Sequence, residues 1–78
     1  MSYTEVVSRF LLDEILDDRD LLEPDEDLLD GLVDSLTMIR LIEFIEEELG
    51  IIVPPEDFTV EHFRCVEDIN RYLQARRP

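Results

Sequence analysis

The run from Ser35 to Leu49 constrains the fold more than any other part of the chain. No Gly or Pro interrupts it. Leu36, Met38, Ile39, Leu41, Ile42, Phe44, Ile45 and Leu49 are apolar, whereas Arg40, Glu43, Glu46, Glu47 and Glu48 are charged. At about 100° per residue the apolar set wraps well beyond one stripe in the first two turns. Such a helix must be covered on more than one side, or must offer part of its apolar surface to a ligand or partner. Gly50 follows it, where a left-handed residue ends a helix.

The covering elements can be read on both sides. Ser2-Tyr3-Thr4-Glu5 fits a capping box, serine at the cap and glutamate three residues on. Val6, Val7, Phe10, Leu11, Ile15 and Leu16 then lie on one side of a helix spanning about Tyr3 to Leu16. Val66, Ile69, Tyr72 and Leu73 give a last helix over about Val66 to Ala75, with Arg76 and Arg77 suited to its C-terminal end. Asp17 to Val33 has no sustained period and is punctuated by Pro24 and Gly31. A loop this long is uncommon in a compact domain and is often functional. Leu21, Leu22, Leu28, Leu29 and Leu32 are its candidate anchors to the core. Ile51-Ile52-Val53, stopped by Pro54-Pro55, reads as an extended link, and Pro55 to Phe63 as holding a short helical turn. The expected fold is all-α: a small four-helix bundle, three main helices and one short helix, with a long loop between helices one and two.

Size and charge exclude several function classes. The 78 residues make one domain, 1–78. A chain this short buries only roughly 60% of its unfolded surface, so a deep catalytic cleft is hard to build. Acidic residues number 21 against 7 basic ones, all arginine, for a net charge of −14. Such a chain repels nucleic acid and anionic membranes, and is steered toward basic patches on other proteins. Apolar residues at 45% with helical spacing argue for a folded chain despite that charge. No apolar stretch approaches the roughly 20 residues that span a bilayer. With no visible signal peptide, the expected compartment is the cytoplasm.

Ser35 is the residue with chemical interest. It lies where the long loop ends and the apolar helix begins, in Asp34-Ser35-Leu36. A serine there without a base or a glycine cradle is poor catalytic equipment but a good attachment point. A phosphodiester formed on its oxygen would sit at a helix N-terminus, whose unpaired amides and positive dipole end tolerate an anion. A modifying enzyme could provide base and metal. The bland alternative is that Asp34 or Ser35 is only an N-cap. Leu36 and Thr37, just past the serine, are expected to face outward, with Leu36 an apolar anchor among acidic residues.

Other features lead to unremarkable readings. From Asp25, an EF-hand would need an oxygen ligand at Leu29, Gly at Asp30 and Glu at Leu36, so Asp25, Asp27 and Asp30 form a solvated acidic loop. Cys65 is a small residue at a helix boundary, His62 alone makes no zinc site, and no metal is expected. Met38, Ile42 and Phe44 could line an internal apolar channel, but core packing is the simpler role. Glu46-Glu47-Glu48 reads as a solvated helix end.

Asp27-Leu28, then Gly31-Leu32-Val33-Asp34-Ser35-Leu36, resembles the signature of acyl carrier proteins. Ile39, Leu41-Ile42-Glu43, the Glu46-Glu47-Glu48-Leu49-Gly50 ending, Ile52-Val53-Pro54 and Val66-Glu67-Asp68-Ile69 are similar too, so the resemblance covers nearly the whole chain. It implies a 4′-phosphopantetheine arm on Ser35, derived from coenzyme A, with Asp34 and Leu36 flanking the site and a thioester on the arm's terminal thiol. It implies no catalysis by the chain itself. Helix two would be the face read by partners, with Leu36, Thr37, Arg40 and Glu43 upon it. Those partners would be a phosphopantetheinyl transferase, an adenylating acyl or aminoacyl ligase and a downstream acyl-transfer or synthase enzyme, acting on a monomeric carrier. Thr37 and Arg40 stand where many fatty-acid carriers have acidic residues. The Gly31-Leu32-Val33 lead-in is more similar to discrete D-alanyl, aminoacyl and peptidyl carriers. The competing reading is an acidic helical adaptor that binds a basic partner and carries nothing.

Overall fold

A computed structural model describes residues 2–14, 21–30 and 33–76. Helix α1 spans Thr4–Glu14 and α2 spans Ser35–Phe44, continuing as a π turn over Ile45–Leu49. A 3-10 turn at Pro55–Asp57 leads to the short helix α3, Val60–Phe63, and α4 runs Val66–Arg76. Among the described residues there is no strand, and the fold is the all-α bundle that the periodicity predicts. No helix among them is long and apolar enough to cross a membrane.

Helix α1 starts one residue later than expected and is described to Glu14; Ile15 and Leu16 lie outside the described residues. The capping box does not close as the motif suggests. Ser2 Oγ accepts the Thr4 amide at 3.1 Å, but Glu5 pairs with Arg9 at 3.7 Å instead of reaching back to the cap. Both partners of that pair are solvated, so it contributes little. The N-terminus is tied down from elsewhere: Asn70 Oδ1 on α4 accepts the Tyr3 amide at 2.6 Å.

Helix two keeps its expected bounds but not its expected regularity. The first ten residues are α-helical, and the turn carrying Glu46, Glu47 and Glu48 is π-helical. Gly50 ends it in the left-handed region at φ 69°, where a side chain would be strained. Beyond it, Ile51 and Val53 are buried while Ile52 is exposed, as an extended link with alternating faces requires. Glu46 is not merely solvated: its Oε2 accepts the Val53 amide at 3.2 Å and fastens the link to helix two. The single helical turn expected over Pro55–Phe63 proves to be two pieces, the 3-10 turn and α3.

One core joins the four helices. Val7 and Leu11 from α1, Met38, Leu41 and Ile45 from helix two, Phe63 from α3, and Ile69 and Leu73 from α4 are fully buried. Each such side chain contributes about 1.5–3 kcal/mol by leaving water. Phe10 and Phe44 stack at 4.3 Å between α1 and α2. Met38 is therefore core, and Ile42 and Phe44 are half-buried packing residues.

The described part of the long loop is fixed in two ways. Leu22 and Leu28 are buried, Leu29 packs partly, and Leu21 is exposed, contrary to its expected anchoring role. Of these adjacent residues Leu22 turns into the core and Leu21 to solvent; Leu32 lies outside the described residues. Backbone bonds complete the tether. The Leu28 amide donates to the Arg64 carbonyl at 2.7 Å and the Glu67 amide to the Pro24 carbonyl at 2.8 Å. The Val33 amide then closes onto the Leu28 carbonyl at 2.9 Å, which delivers Asp34 to the start of α2.

Candidate functional site

Ser35 is the first residue of α2 and is exposed. Asp34, in an extended conformation, is the N-cap: its Oδ1 accepts the Thr37 amide at 2.8 Å, and its carbonyl accepts the Met38 amide at 3.0 Å. The Thr37 amide, and secondarily the Thr37 hydroxyl, hold the Asp34 carboxyl below its ordinary value of 3.8. Capping thus falls to Asp34. Among the described residues nothing engages the Ser35 hydroxyl. The Ser35 and Leu36 amides, which lead the helix, have no intrahelical acceptor and point the positive end of α2 outward.

Leu36 is 69% exposed and Ile39 is 47% exposed. With the exposed Arg40 and Glu43, spaced at three and four residues, they form one solvent-facing stripe along α2. Thr37 corrects the sequence expectation: it is half-buried, because its amide and hydroxyl turn toward Asp34. Leu36, Arg40 and Glu43 lie where a partner could reach them.

A surface cleft of about 410 Å³ opens beside Ser35. It is lined by Asp34, Ser35 and Met38 at the start of α2, by Leu29 and Val33 of the preceding loop, and by Phe58, Thr59 and Val60. Sequence reasoning missed this last group. Val60 is 63% exposed although apolar, but nothing in the linear order places it near Ser35. A hydroxyl open to solvent, a helix end suited to a phosphodiester and an apolar-sided cleft fit a phosphorylated pantetheine arm.

The remaining candidates behave as packing or turn residues. Cys65 is buried, and burial pushes its thiol up, which removes the thiolate that nucleophilic or metal chemistry needs. His62 packs on the Tyr72 ring at 4.8 Å. Asp27 Oδ1 accepts the Leu29 amide at 3.0 Å, a turn-stabilising role. Among the described residues no group of acidic, His or Cys side chains could hold a metal.

Comparison with known proteins agrees with this arrangement. The family model for the phosphopantetheine attachment site matches residues 9–73, a span that includes Ser35. An acyl carrier protein of Syntrophobacter fumaroxidans is 35% identical over 61 residues, covering 77% of this chain and 73% of the relative. An acyl carrier protein of Solidesulfovibrio magneticus is 30% identical over 78 residues, covering 99% of this chain and 97% of the relative. Among solved structures, a chain in a crystal structure of an FAD-dependent dehydrogenase is similar with a TM-score of 0.69 and 28% identity, over 91% of this chain and 97% of that one. A chain in the structure of Bradyrhizobium japonicum glycine:[carrier protein] ligase complexed with glycylated carrier protein gives a TM-score of 0.67 at 26% identity, over 87% of this chain and 89% of that one. Proteins of this kind carry groups and leave catalysis to their partners. The chain belongs to the acyl carrier protein family, and its prosthetic group is covalently attached 4′-phosphopantetheine.

Proposed function

We propose that Ser35 is the attachment residue and that this single-domain, monomeric, cytoplasmic carrier presents an acyl or aminoacyl group to its partner enzymes. The observation that carries the reading is the exposed Ser35 hydroxyl, relieved of capping by Asp34 and set at the head of α2 beside the cleft. Ser35 Oγ bonds to the pantetheine phosphorus of coenzyme A and the phosphoanhydride bond breaks. Adenosine 3′,5′-bisphosphate leaves, and the serine proton passes to a base on the transferase. The leading amides of α2 stabilise the phosphodiester anion that results. When bound, the arm supplies a thiol that holds the carried group as a thioester.

Leu36, with Ile39, Arg40 and Glu43, gives partners an apolar anchor inside a charged rim. Thr37 and Arg40 are not acidic, which supports ligase-driven aminoacyl loading over fatty-acid synthesis. So does the likeness to a chain in a structure of a glycine:[carrier protein] ligase with its glycylated carrier. The test offers the arm-bearing chain to adenylating ligases with ATP and either amino acids or fatty acids. An amino-acid adduct released by hydroxylamine and absent from Ser35→Ala is expected. Loading by fatty acids alone would overturn the subtype.

A further inference from the structure

The chain segments that line the cleft beside Ser35 differ in how they are held. The Leu29 amide donates to Asp27 Oδ1 and the Val33 amide to the Leu28 carbonyl, and Met38 belongs to α2. Phe58, Thr59 and Val60 stand on a three-residue 3-10 turn and the start of a four-residue helix. Elements this short do not hold their shape alone.

Helix α4 supplies what they lack. Tyr72 Oη donates to Asp57 Oδ2 at 2.7 Å, and Arg76 Nη1 lies 3.3 Å from the same oxygen. The Arg76 guanidinium also sits 5.8 Å from the centre of the Tyr72 ring. That ring packs against His62 at 4.8 Å and Phe63 at 5.6 Å, and Phe58 meets Phe63 edge-on at 5.5 Å. Asp57 directly precedes Phe58, and its carbonyl accepts the Thr59 amide at 2.9 Å. A continuous set of bonds therefore runs from α4 through one carboxylate to the cleft wall. Tyr72 is buried and Asp57 half-buried, so the shared oxygen holds its partners more firmly than a solvated pair would.

We propose that Asp57, gripped by the Tyr72 hydroxyl and the Arg76 guanidinium, is a positioning residue that fixes the Phe58–Val60 wall and so sets how firmly the pantetheine arm rests against the protein. The latch stands on geometry alone; its effect on the arm rests on the attachment reading above. Releasing Asp57 lets the wall drift from Ser35 and leaves the arm in solvent.

The test compares the full chain with Asp57→Ala, Asp57→Asn and Tyr72→Phe, read in two ways. Amide hydrogen exchange at Phe58, Thr59, His62 and Phe63 should rise about tenfold in Asp57→Ala, while Val7 and Leu11 stay within about twofold. Asp57→Asn keeps an acceptor for Tyr72 and should recover most of the protection. In arm-bearing chains with a ¹³C-labelled arm, cross-relaxation between the arm methyls and the Phe58 ring should be present in the unaltered protein. It should fall about threefold in Asp57→Ala and return in Asp57→Asn, following the wall's exchange. Exchange that is unchanged, or that rises equally in α1, would overturn the latch. An arm signal absent from the unaltered protein, or unaffected by Asp57→Ala, would overturn its control of the arm. If mass spectrometry found no arm on Ser35, the attachment reading would fail with that second half, and the exchange pattern would still decide the latch.

Discussion

The Asp34 carboxylate accepts the Thr37 amide at 2.8 Å, so Ser35, the residue after the cap, leads a helix it does not have to cap. The division of labour has a pH signature. The Asp34 carboxyl is held below 3.8 by the Thr37 amide, so its contribution is fully present above that value and is lost as pH falls through its lowered folded value. Replacing Asp34 with Asn keeps a cap acceptor and removes this dependence. The difference in stability between the two proteins, followed by denaturant unfolding, should change below pH 3.8 and stay flat above it.

Leu36 and Met38 are two residues apart and should respond oppositely to truncation. Leu36 is 69% exposed and Met38 is fully buried. Leu36→Ala should shift stability by no more than about 0.5 kcal/mol and should slow arm attachment through a raised KM. Met38→Ala should cost about 2–5 kcal/mol, most of what a domain of this size possesses. Thermal melting together with transferase kinetics separates the two effects.

Tyr72 should make the protein sensitive to alkali. Burial, then the bond to Asp57, pushes its hydroxyl from 10.0 up to about 12. The folded state thus favours the neutral phenol, and that stability is complete below pH 10.0 and lost as pH rises through about 12. Unfolding free energy should decline across this window, and Tyr72→Phe should flatten that part of the decline. Absorbance at 295 nm during alkaline titration should show one late-titrating phenol, absent from the variant.

A net charge of −14 on 78 residues must strain the folded state. Screening lengths fall from about 30 Å at 0.01 M salt to about 3 Å at 1 M. Melting temperature should therefore climb with sodium chloride across this range, and a flat profile would show that self-repulsion is unimportant here.

The elements legible in the sequence were those set by local periodicity. The apolar face of helix two, Gly50 at its end and Val66, Ile69 and Leu73 on α4 each mark a core face by spacing alone. The place of Ser35 at an exposed helix start was legible because its setting, loop before and apolar helix after, is itself local. The rest depended on contacts between distant residues. Leu21 and Leu22 are chemically equivalent, and only the fold of the loop decides that Leu22 is buried. Glu46 reads as one of three solvated acids until the link returns the Val53 amide to it. The π turn at Ile45–Leu49 carries ordinary helix formers and has no sequence mark. Asp57 and Tyr72 are fifteen positions apart and meet through a single oxygen, which no pattern announces.

The chemistry proposed for the chain stands or falls on whether coenzyme A can modify one side chain. The purified protein, incubated with coenzyme A, magnesium and a broad-specificity phosphopantetheinyl transferase, should gain the mass of a single arm. Fragmentation should place that arm on Ser35, and Ser35→Ala, folded to the same helicity, should gain nothing. An unmodified wild-type chain under conditions that load a control carrier, or an arm found on any other residue, would contradict the account.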